Sequence, residues 1–129
     1  MTETEHRVME FLERYGRALS AGDLDTIADS WAVPALSIGE EEARGVATIE
    51  EVTGFFAAAG EAYRAQGIVA ARPTLLGAEA VGRRLWFVDV RWQNENAAGA
   101  AVATERTRYI LWEGDDGALR IRTIIAAAE

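Results

Sequence analysis

The sequence predicts an α+β fold, with helices in its first half and an antiparallel sheet in its second half. Apolar residues recur every three or four positions up to Gly67 and every second position after it, which indicates helices followed by strands. The segments between the predicted strands are short, and a parallel crossover would need about a dozen or more residues, so the strands are expected to be antiparallel. We therefore predict one domain over residues 1–129 with the element order α-α-β-α-β-β-β-β.

The first two helices are predicted from their apolar spacing and from the residues at their ends. Gly22 ends the first helix, over residues 5–21, as a glycine just past a helix end often does. Asp23 is the predicted N-cap of the second helix, and Pro34 marks the end of that helix. The apolar stripes are Val8, Phe11, Leu12, Tyr15, Ala18 and Leu19 in the first helix and Leu24, Ile27, Ala28 and Trp31 in the second.

A short strand and a turn are predicted over residues 34–45, where Leu36 and Ile38 alternate with other residues. A third helix is predicted to follow, because Thr48 and Glu51 have the spacing of a capping box. The apolar face of this helix is expected to consist of Val52, Phe55, Phe56, Ala59 and Tyr63.

Residues typical of turns, namely glycine, asparagine and aspartate, separate four runs of alternating apolar residues. The predicted strands are 68–76, 83–93, 101–112 and 118–125, and the predicted turns are 77–82, 94–99 and 113–117. Alternate residues of a strand lie on opposite faces of the sheet. The face toward the helices is expected to hold Trp86, Val88, Val90, Trp92, Ala103, Glu105, Thr107, Tyr109, Leu111, Leu119, Ile121, Thr123 and Ile125.

The face of the sheet away from the helices combines arginines with large apolar side chains. It is expected to hold Phe87, Asp89, Arg91, Arg106, Arg108, Ile110, Trp112, Arg120, Arg122 and Ile124. Arginine and aromatic residues are enriched at protein–protein interfaces, which favours an interface here. A solvated face, in which arginine stems cover apolar neighbours, is the alternative. In an interface, Asp89 is expected to pair across strands with an arginine.

Composition limits the classes of function that this chain can have. The formal net charge of −8 argues against binding nucleic acid or an anionic membrane surface, since both require basic groups. No apolar run approaches the roughly 18–20 residues of a membrane-spanning helix. The segment of residues 1–7 is acidic and polar, unlike a signal peptide, and a cytoplasmic protein is therefore expected.

Few residue types for metal or nucleophilic chemistry are present. The chain has no cysteine, which excludes disulfides and a thiolate nucleophile, and His6 is its only histidine. A Ser–His–Asp triad or a typical transition-metal site would depend on His6, near the predicted start of the first helix. No glycine-rich phosphate loop is present. We expect no metal and no cofactor.

The segment of residues 15–32, YGRALSAGDLDTIADSWA, resembles the NTF2-like superfamily, which includes SnoaL-like proteins and ketosteroid isomerases. The shared features are an aromatic residue, a Gly-Asp helix break, and a second helix that ends in an aromatic residue followed by alanine. The resemblance implies a cystatin-like cone, in which helices cover a curved antiparallel sheet with a pocket between them. It also implies a homodimer through the outer sheet face, which here carries Phe87, Arg91, Arg106, Arg108 and Arg122.

A ketosteroid-isomerase-like site would need a carboxylate base, a tyrosine donor and a carboxylic acid that stays protonated. Tyr15 lies at the matching point of the first helix. Gly39 occupies the position of the base, with Glu40 beside it, and Arg108 lies near the position of the acid. The resemblance therefore does not predict isomerase chemistry, and the remaining catalytic candidates are Tyr15, Glu40 and Glu105.

The predicted pocket combines aromatic side chains with a few polar groups, as small-molecule sites commonly do. The candidate ligand-binding residues are Tyr15, Trp31, Phe56, Tyr63, Trp86, Glu105, Thr107 and Tyr109. For Trp31 and Phe55 the favoured alternative is that they fill the core. For Trp86 and Trp92, pocket wall and core are both open.

Three functions follow as hypotheses. The first is a homodimer that binds a small apolar ligand without catalysis. The second is a SnoaL-like isomerase, cyclase or hydratase, with Glu105 or Glu40 as acid–base group and Tyr15 or Tyr109 as donor. The third is a non-catalytic module that binds a protein partner through its sheet face.

Overall fold

A computed structural model of the chain describes residues 1–126 and confirms the α+β class. The helices are α1 (Glu3–Ala21), α2 (Leu24–Asp29) and α3 (Ile49–Ala65). The strands are β1 (Trp31–Ile38), β2 (Ala43–Val46), β3 (Ile68–Ala80), β4 (Leu85–Asn96), β5 (Ala101–Glu113) and β6 (Leu119–Ala126). Within the described range the helices cover one curved sheet of order β2-β1-β6-β5-β4-β3, in which only β1 and β6 are parallel neighbours. None of the described helices is long and apolar enough to cross a membrane.

The predicted corner between α1 and α2 is confirmed. Gly22 adopts a left-handed conformation with φ of 66°, which closes α1. The side chain of Asp23 accepts a hydrogen bond from the backbone N–H of Thr26 and so caps α2. At its other end α1 begins two residues earlier than predicted, because Thr2 and Glu5 form a reciprocal capping box.

The end of α2 differs from the prediction. The helix stops at Asp29, and Trp31 is the first residue of β1 rather than the last apolar residue of the helix. Pro34 lies inside β1, where it is tolerated because pairing with β2 begins only at Ala35 and the register with β6 is interrupted between Trp31 and Leu36. The stretch predicted as strand and turn is thus a β1–β2 hairpin.

The N-terminus of α3 is capped at the predicted residue. Thr48 accepts a hydrogen bond from the backbone N–H of Glu51, whereas the Glu51 carboxylate accepts from Ala47 instead of returning to Thr48. Only part of the predicted apolar face is covered. Val52 is buried, but Phe55 is 63% exposed, so the expectation that Phe55 fills the core is wrong.

A β-bulge in β6 corrects the predicted faces of that strand. Leu111 pairs with Ile121 and Ile110 pairs with Thr123, which leaves Arg122 as an extra residue. One extra residue reverses every later side chain, because the side-chain period of a strand is two. The expectation that Thr123 and Ile125 face the helices is therefore wrong, and the inward residues are Ile124 and Ala126.

The strands β3 and β4 are longer than predicted. β3 continues to Ala80 through a register shift between Leu75 and Gly77, although this segment was expected to be a turn. β4 continues to Asn96, past the predicted end of the strand. A further register shift in β5, opposite residues 94 and 95, keeps the two strands paired there. The C-terminal ends of β3 and β4 contain residues typical of turns. They stay in the sheet because each pairs with a long neighbouring strand.

The core lies where α1 crosses the sheet. Gly16 allows this close approach, since a Cβ at that position would lie 2.9 Å from the carbonyl oxygen of Ala71 and 3.1 Å from the ring of Trp92. The hydroxyl of Ser20 accepts a hydrogen bond from the backbone N–H of Ala71 and ties the helix to β3. The residues buried most completely are Val8, Leu12, Tyr15, Ile27, Ser30, Val88, Val90, Leu111 and Ile121.

Candidate functional site

A cavity of about 230 Å³ lies between the helices α1 and α3 and the strands β3, β4 and β5. Six of the eight candidate ligand-binding residues line it. These six are Tyr15, Phe56, Tyr63, Glu105, Thr107 and Tyr109. Trp92, for which pocket wall and core were both open, also lines it, as does Asn94, which was not a candidate. That any of these residues binds a ligand stays a prediction.

Aromatic rings form part of the inner wall. The ring of Tyr15 lies edge-on to Phe56, with 6.3 Å between centroids, and to Trp92, with 6.2 Å between centroids. Such edge-to-face pairs are the arrangement that aromatic quadrupoles favour. Because α1, α3 and β4 each contribute one of these rings, the wall depends on the packing of all three elements.

Two hydrogen bonds from indole to phenol fix the deepest polar groups. The indole N–H of Trp31 donates to the Tyr15 hydroxyl at 3.1 Å, and that of Trp92 donates to the Tyr109 hydroxyl at 2.9 Å. Burial raises the pKa of Tyr15 well above its ordinary value and also raises the pKa of Tyr109. Both phenols are therefore neutral at physiological pH.

Glu105 organises the polar end of the cavity. Its Oε1 atom accepts hydrogen bonds from the Tyr63 hydroxyl at 3.1 Å and from the Asn94 side-chain amide at 3.3 Å. Burial and the neighbouring Glu105 carboxylate raise the pKa of Tyr63 to about 12, so this phenol remains a donor. Glu105 itself is solvent-exposed, which places this group at the mouth of the cavity.

Asn94 is a site residue that the sequence analysis missed. It was assigned to a turn, but it is 2% exposed because β4 continues through it. The alternation of Val90, Trp92 and Asn94 on one face was the available signal. The turn-like composition of the following residues obscured that signal.

A second hollow, of about 850 Å³, lies between the β1–β2 hairpin, α3 and β6. It shares four lining residues with the first cavity, namely Phe55, Phe56, Ile124 and Ala126. Trp31 lines this second hollow and not the first, while being 5% exposed. The aromatic pair of Phe55 and Phe56, with ring centroids 5.0 Å apart, thus stands between the two spaces.

Two other candidate residues lie away from the cavity. Trp86 packs near the start of α1, where the guanidinium of Arg7 lies 5.5 Å from the ring centroid. Glu40 lies in the exposed turn between β1 and β2. Of the three catalytic candidates, the structure thus brings Tyr15 and Glu105 to one cavity and leaves Glu40 outside it. Among residues 1–126, no group of three or more acidic or histidine side chains is placed to hold a metal.

The outer sheet face carries the expected mixture of arginines and apolar groups. Arg106 donates two hydrogen bonds to Asp89, at 3.0 and 2.7 Å, which confirms the predicted pairing across strands and lowers the pKa of Asp89. The guanidinium of Arg122 lies 4.5 Å from the centroid of the Trp112 ring. Phe87, Ile110 and Trp112 are half-buried on this face.

Comparison with known proteins places these features in a family context. A family model described as an NTF2-like protein (DUF6841) matches residues 3–129. No curated protein matches the chain.

Several solved structures share the fold at low sequence identity. An NTF2-like protein of unknown function from Shewanella oneidensis MR-1 is 16% identical, with a TM-score of 0.73 over 96% of this chain and 98% of that chain. A ketosteroid isomerase-like protein from Erwinia carotovora atroseptica is 11% identical, with a TM-score of 0.71 over 98% and 97%. A protein from Catenulispora acidiphila, solved in complex with S-DNPA, is 14% identical, with a TM-score of 0.69 over 95% and 91%. At these identities the comparison shows the fold alone.

Proposed function

This chain belongs to the NTF2-like family DUF6841, and we propose that it is a non-catalytic binding protein whose cavity takes one small, mainly apolar ligand. The observation that carries this proposal is a cavity of about 230 Å³ that is lined by aromatic and aliphatic residues and has a hydrogen-bonding group at its mouth. Small-molecule sites are typically concave and apolar with a few fixed polar groups. The solved relative from Catenulispora acidiphila, which contains S-DNPA, supports the view that this fold can hold an organic ligand.

The size of the cavity sets the size of the ligand. A cavity of about 150 Å³ is large enough to bind benzene. The present cavity of about 230 Å³ is larger and suits a body of one or two fused rings. The polar groups at its mouth would orient such a ligand with its apolar part toward Tyr15, Phe56 and Trp92.

The SnoaL-like catalytic alternative has less support from the geometry. The Glu105 carboxylate is exposed and already accepts two hydrogen bonds on one oxygen. The hydroxyls of Tyr15 and Tyr109 are each engaged by an indole N–H. General acid–base catalysis favours a group whose pKa is tuned near the working pH. The buried phenols are shifted in the opposite direction, away from neutrality.

The proposal is tested by isothermal titration calorimetry with naphthylmethanol, a neutral probe of the expected size. We expect saturable binding to the wild-type protein. Ala59→Leu fills part of the cavity from α3 and should weaken binding by roughly 5-fold to 150-fold, because overfilling costs about 1–3 kcal/mol.

Ala58→Leu is the matched control, since Ala58 is exposed on the same helix and lies outside the cavity lining. Leucine is a good helix former, so neither variant should disturb α3 itself. Absence of binding to the wild-type protein, or equal binding by both variants, would contradict the proposal.

The same proposal includes a homodimer formed through the outer sheet face. Its support is the group of half-buried apolar side chains, Phe87, Ile110 and Trp112, among the arginines of that face. Arginine and aromatic residues are enriched at such interfaces. A protein-interaction role for this face, with a different partner, is the remaining alternative.

A further inference from the structure

Glu105 brings an unused hydrogen-bond acceptor to the mouth of the cavity. The donors Tyr63 and Asn94 both bind Oε1, at 3.1 and 3.3 Å. Among residues 1–126 no donor is found for Oε2. An ionised carboxylate can accept about four hydrogen bonds on its two oxygens. The side chain is therefore held by one oxygen while the other is left for a ligand.

The surroundings of Glu105 bring its carboxylate close to aromatic rings. Glu105 lies directly opposite Trp92 in the pairing of β4 with β5, so the two side chains share one face of the sheet. Trp92 in turn contacts Tyr15, and Tyr63 approaches from α3. A ligand that reached Oε2 would thus lie between a negative charge and the faces or edges of several rings.

Among the described residues that line the cavity, the one cationic side chain does not use this oxygen. Arg64 lines the same cavity but runs back along α3 toward the corner between α1 and α2. Its Nη1 atom lies 3.3 Å from the position that a Cβ would take on Gly60 and 3.7 Å from that on Gly22. Within the described chain Glu105 and Arg64 form no ion pair.

We propose that the cavity selects ligands that combine an apolar ring body with a protonated amine, and that the ammonium group donates to Oε2 of Glu105. This rests on the proposed function, namely that the cavity binds a small molecule. Charge-assisted hydrogen bonds are roughly twice as strong as neutral ones, and aromatic faces attract cations. The formal net charge of −8 also favours the approach of a cation over that of an anion. A carboxylate ligand of the same shape would be repelled by Glu105.

Three probes with one ring body separate charge from shape: naphthylmethylamine, naphthylmethanol and naphthoic acid. At neutral pH they are cationic, neutral and anionic. Calorimetric titration should rank the amine about fivefold to tenfold tighter than the alcohol, and the acid weakest, because only the amine adds the attraction between opposite charges to its hydrogen bond with the carboxylate. Raising the salt concentration should weaken binding of the amine and leave that of the alcohol unchanged.

The preference should depend on Glu105. Glu105→Gln retains the shape and a hydrogen-bonding group but removes the charge, so the ratio of the amine and alcohol affinities should fall to about one. Glu41→Gln, in the exposed β1–β2 turn, removes the same formal charge far from the cavity and should keep the preference.

The outcomes distinguish this inference from the proposed function. If the alcohol binds but the amine binds no tighter, or if Glu105→Gln keeps the full preference, the inference is wrong and the binding function stands. If the acid binds tightest, the inference is also wrong. If none of the three probes binds the wild-type protein, the proposed function itself fails, and this inference fails with it.

Discussion

Two tyrosine hydroxyl groups provide the hydrogen-bond acceptors for the buried indole N–H groups beside this cavity. Tyr15 and Tyr109 are almost completely buried, and each accepts a hydrogen bond from the indole N–H of a tryptophan that is itself buried. A buried donor that loses its partner costs free energy, whereas an exposed one exchanges its partner for water. The same type of bond is thus expected to matter differently at the bottom and at the mouth of the cavity.

Tyr109→Phe should lower the free energy of unfolding by about 1–3 kcal/mol, because it leaves the buried indole N–H of Trp92 without an acceptor. Tyr63→Phe is the control, since its partner Glu105 is exposed and can bind water. Urea unfolding followed by circular dichroism measures both variants. An equal decrease in the free energy of unfolding in the two variants would show that burial does not determine the cost of losing the hydrogen bond.

All three tyrosines of the sequence have a raised pKa in the folded protein, chiefly through burial. In the unfolded chain a tyrosine ionises near pH 10, so above that pH the unfolded state binds fewer protons than the folded state. The free energy of unfolding should therefore be unaffected below about pH 10 and fall as the pH rises further. Phenolate absorbance should appear together with loss of structure. A native protein with a phenolate titration centred near pH 10 would contradict this expectation.

Close contacts between elements set the shape of the cavity. α1 crosses the sheet at Gly16, and Ser20 on the same helix binds the backbone of β3. α3 is attached less tightly, with Val52 as its only buried residue within the described chain. The cavity lies between these two helices, so one wall is fixed by backbone contact and the other by a few aromatic side chains.

Gly16→Ala should destabilise the protein by more than about 1 kcal/mol, because the added methyl group would meet the Ala71 carbonyl oxygen, a backbone atom that cannot easily move. Gly54→Ala in α3 is the matched control. A Cβ at Gly54 meets nothing within 4 Å, so alanine should be neutral or should stabilise by about 0.4–1 kcal/mol. Thermal unfolding of the two variants measures the difference. Destabilisation of both to the same extent would contradict the close approach of α1 to β3.

At the scale of the whole molecule, the sheet has two unlike faces. The inner face carries the cavity, and the outer face combines half-buried apolar groups with arginines that are tied to Asp89 or stacked on Trp112. The protein has a net charge of −8, but arginines are concentrated on the outer face of the sheet. This face therefore differs in charge from the rest of the molecular surface. This asymmetry supports the proposed dimer.

Ile110→Glu should convert the proposed dimer into a monomer, because it would replace an apolar contact of the outer sheet face with a carboxylate that is costly to remove from water. Val81→Glu, at a 54% exposed position in the turn between β3 and β4, adds the same charge elsewhere and should leave the mass unchanged. Size-exclusion chromatography with light scattering measures the mass of each. A monomeric wild-type protein would contradict the proposed dimer directly.

The sequence by itself determined the elements whose signals are local. The period of apolar residues, together with Gly22, Asp23 and Thr48 as helix-end residues, was sufficient for α1, the corner to α2 and the start of α3. Alternation was also sufficient for the inner residues of β4 and for Thr107, Tyr109 and Leu111 of β5. These features depend on the local backbone conformation and on residues close in sequence. A stretch of a few residues is therefore enough to predict each of them.

Only the tertiary structure decided the features that depend on pairing between distant segments. The bulge at Arg122 reverses the end of β6 and brings Ile124 to the cavity, and the continuation of β4 buries Asn94 beside Glu105. The placing of Trp86 at the start of α1, and of Trp31 in the second hollow, also follows from packing. A register shift adds one residue to one strand relative to the strand that it pairs with. The periodicity of a single strand does not reveal this difference.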